Sequence, residues 1–243
     1  MERRSVTDTR GDDNEIVKLL QGAARFKTDV AFCALFETGH SDANQVREGV
    51  SQFPRDMMVS SLMPNAEIHT SRLTLRPYAL TDIADLVRLA GAREVAATTL
   101  RIPHPYTEQD ARDFIAANAG SSSPETRFAI TRQNDGQLCG GIGFRVDEAQ
   151  HHGELGYWLG VPYWGQGYAT ESARSMVDYG FDTLGLHRIY ASYVTHNVAS
   201  GRVLRKIGMR HEGLMREHVC KWGTFYDIDC YGILKADWEQ LAR

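Results

Sequence analysis

The chain contains 243 residues, of which 42% are hydrophobic and 24% charged, a composition typical of globular proteins with a substantial core. Its formal net charge of −4 supplies no basic field that would attract nucleic acid or an anionic membrane, so we expect neither as a partner. The four cysteines form no Cys-x-x-Cys pair, which argues against a zinc site or a disulfide framework, and we expect no metal.

Residues 1–64 show little regular patterning beyond two short apolar segments, at 16–23 and 30–36. We predict that they form an N-terminal extension that is poorly ordered or partly helical. Two alternatives stay open: a docking or regulatory arm, and a translation start at Met58 or Met63. The apolar segments are far shorter than the roughly 20 residues of a membrane-spanning helix, and no signal-peptide pattern is present. We therefore expect a cytoplasmic protein.

Regular patterning begins near Thr70 and continues to the end of the chain. The alternation of apolar and polar residues over 72–77 predicts a half-buried strand. Thr81 and Asp82 can cap a first helix. Residues 107–110, Thr-Glu-Gln-Asp, resemble a capping box and predict a second helix.

The remaining elements follow from changes in hydrophobic period and from turn residues. Together with the first strand and two helices they indicate a mixed α/β domain. Strands are predicted at 127–132, 138–146, 154–159, 187–194, 209–219 and 224–234, and helices at 168–184, 198–207 and 236–241.

The stretch 154–184 combines a short strand, a glycine-rich bend and an amphipathic helix. Gly165 and Gly167 stand where the backbone amides at the helix N-terminus would be uncovered, which predicts a binding site for a phosphate group. A dinucleotide-binding loop fits poorly, because Thr170 replaces the third glycine and the preceding strands form a meander.

Four stretches in the same order resemble the GCN5-related N-acetyltransferase (GNAT) superfamily, and within it the ribosomal-protein N-acetyltransferase (RimJ/RimL-like) branch. The resemblance covers residues 71–241 and implies a GNAT domain at 65–243 with a mixed, mostly antiparallel, splayed sheet flanked by helices. One departure is Trp164, where the wider family favours Arg or Gln. The stretches are Arg72-Leu-Thr-Leu-Arg-Pro77, Glu154-Leu-Gly-Tyr-Trp-Leu159 with Tyr163-Trp-Gly-Gln-Gly-Tyr-Ala-Thr-Glu171, Asn197-Val-Ala-Ser200 with Val203-Leu-Arg-Lys-Ile-Gly208, and Tyr226-Asp-Ile-Asp-Cys-Tyr231.

The resemblance implies acetyl-CoA as the acetyl donor and assigns roles to individual positions. Glu154 is implied as a general base acting through a water, or else is a solvent-facing carboxylate at a strand end. Ser200 is implied as the acid that protonates the leaving thiolate, or as a hydrogen-bond partner of the cofactor. Asn197 caps its helix and is implied to bind pantetheine. Backbone groups of Tyr157, Trp158, Leu159, Trp164, Gly165, Gln166, Gly167, Tyr168, Ala169 and Thr170 are implied to bind the rest of the cofactor.

The predicted activity is direct transfer of an acetyl group to a primary amine, either a protein N-terminus or a small-molecule amine. The alternative is a non-catalytic acyl-CoA-binding regulatory module on the same fold. We expect residues 92–107 to border the acceptor, although their sequence names no substrate. A homodimer formed through the last strands is compatible with this fold.

Overall fold

The computed structural model describes residues 67–118 and 125–241, so the predicted N-terminal extension lies outside the described residues. Within these described ranges, eight strands form a single sheet with helices packed against it. The strands are β1 (Ile68–His69), β2 (Leu73–Arg76), β3 (Glu125–Arg132), β4 (Leu138–Asp147), β5 (His152–Leu159), β6 (Arg188–Val194), β7 (Arg210–Lys221) and β8 (Thr224–Leu234). The helices are α1 (Ile83–Ala90), α2 (Arg93–Thr98), α3 (Glu108–Asn118), α4 (Tyr168–Asp182), α5 (Val198–Lys206) and α6 (Lys235–Leu241).

The sheet has the order β1-β2-β3-β4-β5-β6-β8-β7, and its paired neighbours are antiparallel except for β5 and β6. This confirms the predicted mixed, mostly antiparallel sheet. The parallel pair is short: its register runs from His152 opposite Arg188 to Glu154 opposite Tyr190. Because both strands continue beyond that point, they separate and leave an opening in the sheet.

The hydrophobic core forms where the helices pack against the sheet. Helix α4 contributes Met176 and Phe181, both fully buried, and contacts β2, β4, β5 and β6. Gly140 and Gly143 permit close strand packing, because a Cβ on either would lie within 2.5 Å of a carbonyl oxygen on the neighbouring strand. These two glycines of β4 therefore serve close strand packing. Within the described part of the chain, no helix has the length and apolar character needed to cross a membrane.

Two local expectations had different outcomes. The capping box of α3 is confirmed, since the amide of Thr107 donates to Asp110 Oδ2 at 2.7 Å and the amide of Asp110 donates to Thr107 Oγ1 at 3.2 Å. Asp82 is the N-cap of α1, as predicted, but its side chain makes no cap hydrogen bond to that helix. Its carboxylate instead accepts hydrogen bonds from the Arg76 guanidinium at 2.7 and 2.8 Å and from the amide of Ala79 at 2.8 Å.

Candidate functional site

The opening between β5 and β6 exposes one edge of β5. On the other edge, β4 pairs with β5 along its whole length, from Asp147 opposite His152 to Gly140 opposite Leu159. Beyond Glu154, the backbone of Tyr157, Trp158 and Leu159 therefore borders the opening on the β6 side. Gly156 has open space where a Cβ would be. Backbone groups of successive strand residues face opposite edges, so alternate amides of this predicted segment are turned toward the opening.

The glycine loop (residues 164–170) follows β5 and leads into α4. Gly165 and Gly167 have φ values of +74° and +82°, a conformation that glycine adopts at little cost. Gly167 is the N-cap of α4 and provides no side-chain cap, so the first amides of the helix are available to another acceptor. The loop is exposed, whereas the Tyr168 side chain that follows it is buried. This is the geometry of a helix N-terminal anion site.

Side chains within the glycine loop hold its own backbone in place. The Trp164 indole donates to the carbonyl of Leu159 at 2.7 Å, and the Gln166 amide donates to the carbonyl of Pro162 at 2.8 Å. Trp164 therefore supports the bend at the end of β5, a role that an arginine at this position would not supply in the same way. The loop offers its backbone rather than these side chains for binding.

Thr70 and Arg72 make a second set of contacts that hold the glycine loop and the start of α4, and these contacts were not predicted from the sequence. Arg72 donates to both the carbonyl of Gln166, at 3.0 Å, and the carboxylate of Glu171, at 2.7 Å, and lies over the Tyr168 ring. Glu171 also accepts hydrogen bonds from Thr70 and from the Arg72 amide. Burial alone would raise the pKa of Glu171, but the hydrogen bonds from Thr70 and Arg72 outweigh it and lower the pKa.

Helix α5 begins beside the opening. Asn197 is its N-cap, because its side-chain oxygen accepts from the amide of Ser200 at 3.2 Å, and its side-chain amide donates to the carbonyl of Thr98 at 3.3 Å. The Ser200 and Tyr157 hydroxyls are 2.8 Å apart, which links α5 to β5. Burial raises the pKa of Tyr157 to about 12, although the hydrogen bond with Ser200 lowers it somewhat. The phenol therefore stays protonated at neutral pH and can donate a proton toward Ser200.

Glu154 lies at the last position at which β5 pairs with β6, which is where the opening between the two strands begins. Its Oε2 atom is 2.7 Å from Arg101 Nη2 and 3.5 Å from Arg145 Nη1, and 18% of its side chain is exposed. A simple solvent-facing carboxylate would be more exposed and less contacted. Glu154 is therefore a half-enclosed carboxylate, close to the strand edge and still reachable by water.

The contacts of Glu154 belong to a larger set of charges that we call the ion-pair network. Arg145 also donates from Nε to Glu125 at 3.1 Å, and Glu125 forms an ion pair with Arg127. Burial, together with the nearby charge of Arg101, lowers the pKa of Arg127. The network is defined by Arg101, Glu125, Arg127, Arg145 and Glu154.

The structure brings together nearly all residues predicted for the site, but sequence reasoning missed several partners. Arg101 and Arg145 contact Glu154 from the segment after α2 and from β4. The side chain of Tyr157 was given no role, only its backbone. Period-two alternation along β4 and β5 could have placed Arg145 and Glu154 at one register position, whereas nothing local pointed to Arg101.

Comparisons with known proteins agree with this geometry. Residues 72–210, more than half of the chain, match the family described as acetyltransferase (GNAT) domain. The chain belongs to the GNAT acetyltransferase family. It is therefore an acyltransferase, and the predicted GNAT fold and N-acetyltransferase activity are confirmed.

Individual relatives support the same assignment. An uncharacterized N-acetyltransferase, YnaD of Bacillus subtilis, is 32% identical over 70% of this chain and 98% of its own length. A GNAT-family acetyltransferase from Bacillus anthracis is 29% identical with a TM-score of 0.64, covering 70% of this chain and 99% of that one. The spermidine N-acetyltransferase of Vibrio cholerae, solved with CoA and spermine, shares the fold at 21% identity and a TM-score of 0.63, covering 70% of this chain and 99% of that one.

Proposed function

We propose that this acetyltransferase moves the acetyl group of acetyl-CoA directly to a primary amine bound at the opening between β5 and β6. The observation that carries the proposal is the continuity of the opening with the glycine loop. A strand edge with accessible amides leads into a helix N-terminus that can hold a pyrophosphate. A cofactor that carries both a thioester and a pyrophosphate needs both features, the strand edge for the thioester end and the helix N-terminus for the pyrophosphate. The RimJ/RimL-like branch remains a prediction from the quoted motifs.

The cofactor would lie along the opening with its pyrophosphate on the amides of the glycine loop. Gly165 and Gly167 carry no side chain that would hold the phosphates away, and the partial positive charge at the start of α4 favours them. The amides of Tyr157 to Leu159 would bind pantetheine and the thioester. An amide directed at the acetyl oxygen would stabilise the tetrahedral intermediate, a contribution of roughly 3 kcal/mol per donor.

Glu154 would accept the proton that the attacking amine releases, through one water molecule. The amine nitrogen forms a bond to the thioester carbon, the carbon–sulfur bond then breaks, and the sulfur leaves as a thiolate. Glu154 is suited to this role because its carboxylate lies at the head of the accessible strand edge and is shielded from bulk solvent by Arg101 and Arg145.

Ser200 would donate a proton to the thiolate and take one from Tyr157, whose hydroxyl lies 2.8 Å away. Water would then return a proton to Tyr157, so that neither hydroxyl stays ionised. A thiol has an ordinary pKa of about 8.5, so the thiolate leaves tolerably without help and the acid contributes less than the base.

The test of this function is acetyl-CoA turnover, measured by thiol release with a panel of primary amines. The panel contains peptides that begin with Ser, Ala or Thr and several small amines. The proposed function requires release that depends on both protein and amine. Binding of acetyl-CoA without turnover on any amine would contradict it and favour a non-catalytic module.

A further inference from the structure

The ion-pair network contains one more cation than it has carboxylates. Arg101 and Arg145 share Glu154, while Arg145 and Arg127 share Glu125. Three guanidinium groups are thus matched by two carboxylates. Asp147, which follows on β4, is exposed and accepts from the amide of Gln150 at 3.1 Å in the turn before β5. Its carboxylate serves that turn and contacts none of the three arginines in the described part of the chain, so the paired groups of the network carry one more positive than negative charge.

This excess lies beside the proposed base. Arg101 and Arg145 both contact the Oε2 atom of Glu154, and at the neighbouring Tyr190 their charges are opposed by those of Glu154 and Asp147. Any amine that reaches Glu154 therefore lies beside two guanidinium groups. Such a surrounding disfavours an amine with additional positive charges and favours one with a negative group nearby.

Arg101 is the member of the network best suited to bind such a group. Its side chain is 54% exposed, and its hydrogen bond to Glu154 uses the Nη2 atom. A guanidinium has five N–H donors in a planar fork that matches a carboxylate or phosphate. Arg101 can therefore contact an incoming anion with its remaining donors while it stays close to Glu154.

We propose that the acceptor is a primary amine that carries an anionic group within a few bonds of the amine, and that Arg101 binds this group. The proposal rests on the proposed acetyl transfer, because it places the amine beside Glu154. Two sources share this chemistry: free amino acids, and protein N-termini with an acidic side chain close by.

Two matched acceptor pairs test the proposal and separate these sources. One pair is L-alanine and L-alaninamide, and the other is the dipeptide amides Ala-Asp and Ala-Asn; spermidine serves as a polycation. We expect kcat/KM for the anionic member of at least one pair to exceed that of its neutral partner by about tenfold, as for a charge-assisted hydrogen bond, and spermidine to be the poorest acceptor. The pair that shows the preference identifies the source.

Arg101→Gln should reduce this ratio to near one, while Arg101→Lys should retain part of it. The matched control is Arg112→Gln, because Arg112 is similarly exposed, at 51%, and is paired with Glu108 on α3. The control should keep the wild-type ratio. A higher salt concentration should also lower the ratio in the wild type, a result that needs no variant.

Several outcomes would overturn the proposal. They are equal kcat/KM within both pairs, preference for spermidine, or a ratio that survives in Arg101→Gln while that variant still binds acetyl-CoA. Turnover without any preference contradicts the acceptor inference alone. Absence of turnover on every amine contradicts the proposed function and the acceptor inference together.

Discussion

The two halves of the proposed site are built in different ways. The proposed cofactor half consists of the edge of β5 and the glycine loop, which are contiguous in the chain and present mainly backbone groups. The proposed acceptor half is the ion-pair network, whose side chains come from β3, β4, β5 and the segment after α2. A backbone site tolerates many side chains but depends strongly on its glycines. A side-chain network can change specificity through single substitutions while the cofactor half stays intact.

The largest effect is expected from a substitution of Glu154, which lies where the two halves meet. Glu154→Gln keeps the size of the side chain but removes the base, so kcat should fall on the order of a hundredfold or more. With a high-pKa amine, the remaining rate should rise only at higher pH, where free amine is present without a base. The measurement is kcat as a function of pH.

Glu212→Gln is the control for this experiment. It also removes a carboxylate paired with an arginine, since Arg188 Nη1 donates to Glu212 at 2.7 Å, but it leaves the site unchanged. Its kcat and pH profile should match the wild type. An unchanged pH profile in Glu154→Gln would remove Glu154 as the base.

The next largest effect is expected from a substitution that impairs the cofactor half and leaves the acceptor half unchanged. Gly167→Val places a branched side chain at a φ of +82° and a Cβ 3.3 Å from Arg72 Nη2. It should raise the KM for acetyl-CoA by about tenfold or more, because the side chain obstructs the phosphates, and the backbone strain costs about 1–2 kcal/mol of stability. Initial rates at varied acetyl-CoA concentrations measure the KM.

Gly136→Val reproduces the strain without the obstruction. Gly136 has a φ of +68° in the turn between β3 and β4, with open space where a Cβ would be. This variant should lose similar stability and keep the wild-type KM. If Gly167→Val also kept the wild-type KM, the glycine loop would not hold the pyrophosphate.

A smaller effect is expected at Ser200, because the thiolate can leave without a proton. Ser200→Ala and Tyr157→Phe should each lower kcat several-fold, and the double variant should be little worse than either, since both remove one 2.8 Å contact. Ser175→Ala, which removes a hydroxyl bonded to the carbonyl of Glu171 within α4, is the control. Fully additive losses would show that the two hydroxyls act separately.

The smallest effect is expected at Glu171, which binds Thr70 and Arg72 beside the glycine loop, and it is a change in the free energy of unfolding. The hydrogen bonds from Thr70 and Arg72 lower the pKa of Glu171 below its ordinary value of 4.5. Its contribution is therefore complete at neutral pH and is lost as the pH falls below about 4.5 through the lower folded value. Glu171→Gln should reduce the free energy of unfolding by about 1 kcal/mol at pH 7, and the difference should shrink as the pH falls through the lowered pKa of Glu171.

Thermal unfolding of both proteins across this pH range measures the difference. Glu108→Gln, which removes an exposed pair with Arg112, should change stability less. A difference between wild type and Glu171→Gln that stays constant with pH would show that the charge of Glu171 is not what stabilises the start of α4.

The sequence by itself determined the elements and the cofactor half. Hydrophobic period and turn residues depend on neighbours a few positions away, so most of the order of strands and helices, the capping box at Thr107 and the glycines before α4 could be predicted from it. The short elements β1 and α2 were missed. Local pattern also placed Asp82 correctly at an N-cap, but only the fold shows that its carboxylate binds Arg76 instead of the helix amides.

Only the tertiary structure decided where β5 and β6 part and which side chains meet there. Arg101 and Glu154 are 53 positions apart in the chain, and Tyr157 and Ser200 are 43 apart. Such contacts depend on sheet order, register and the path of a connecting segment, none of which leaves a periodic trace in the sequence. For this reason the acetyl donor could be predicted from the sequence alone. The inference about the acceptor depends on the charged side chains that the fold places around Glu154.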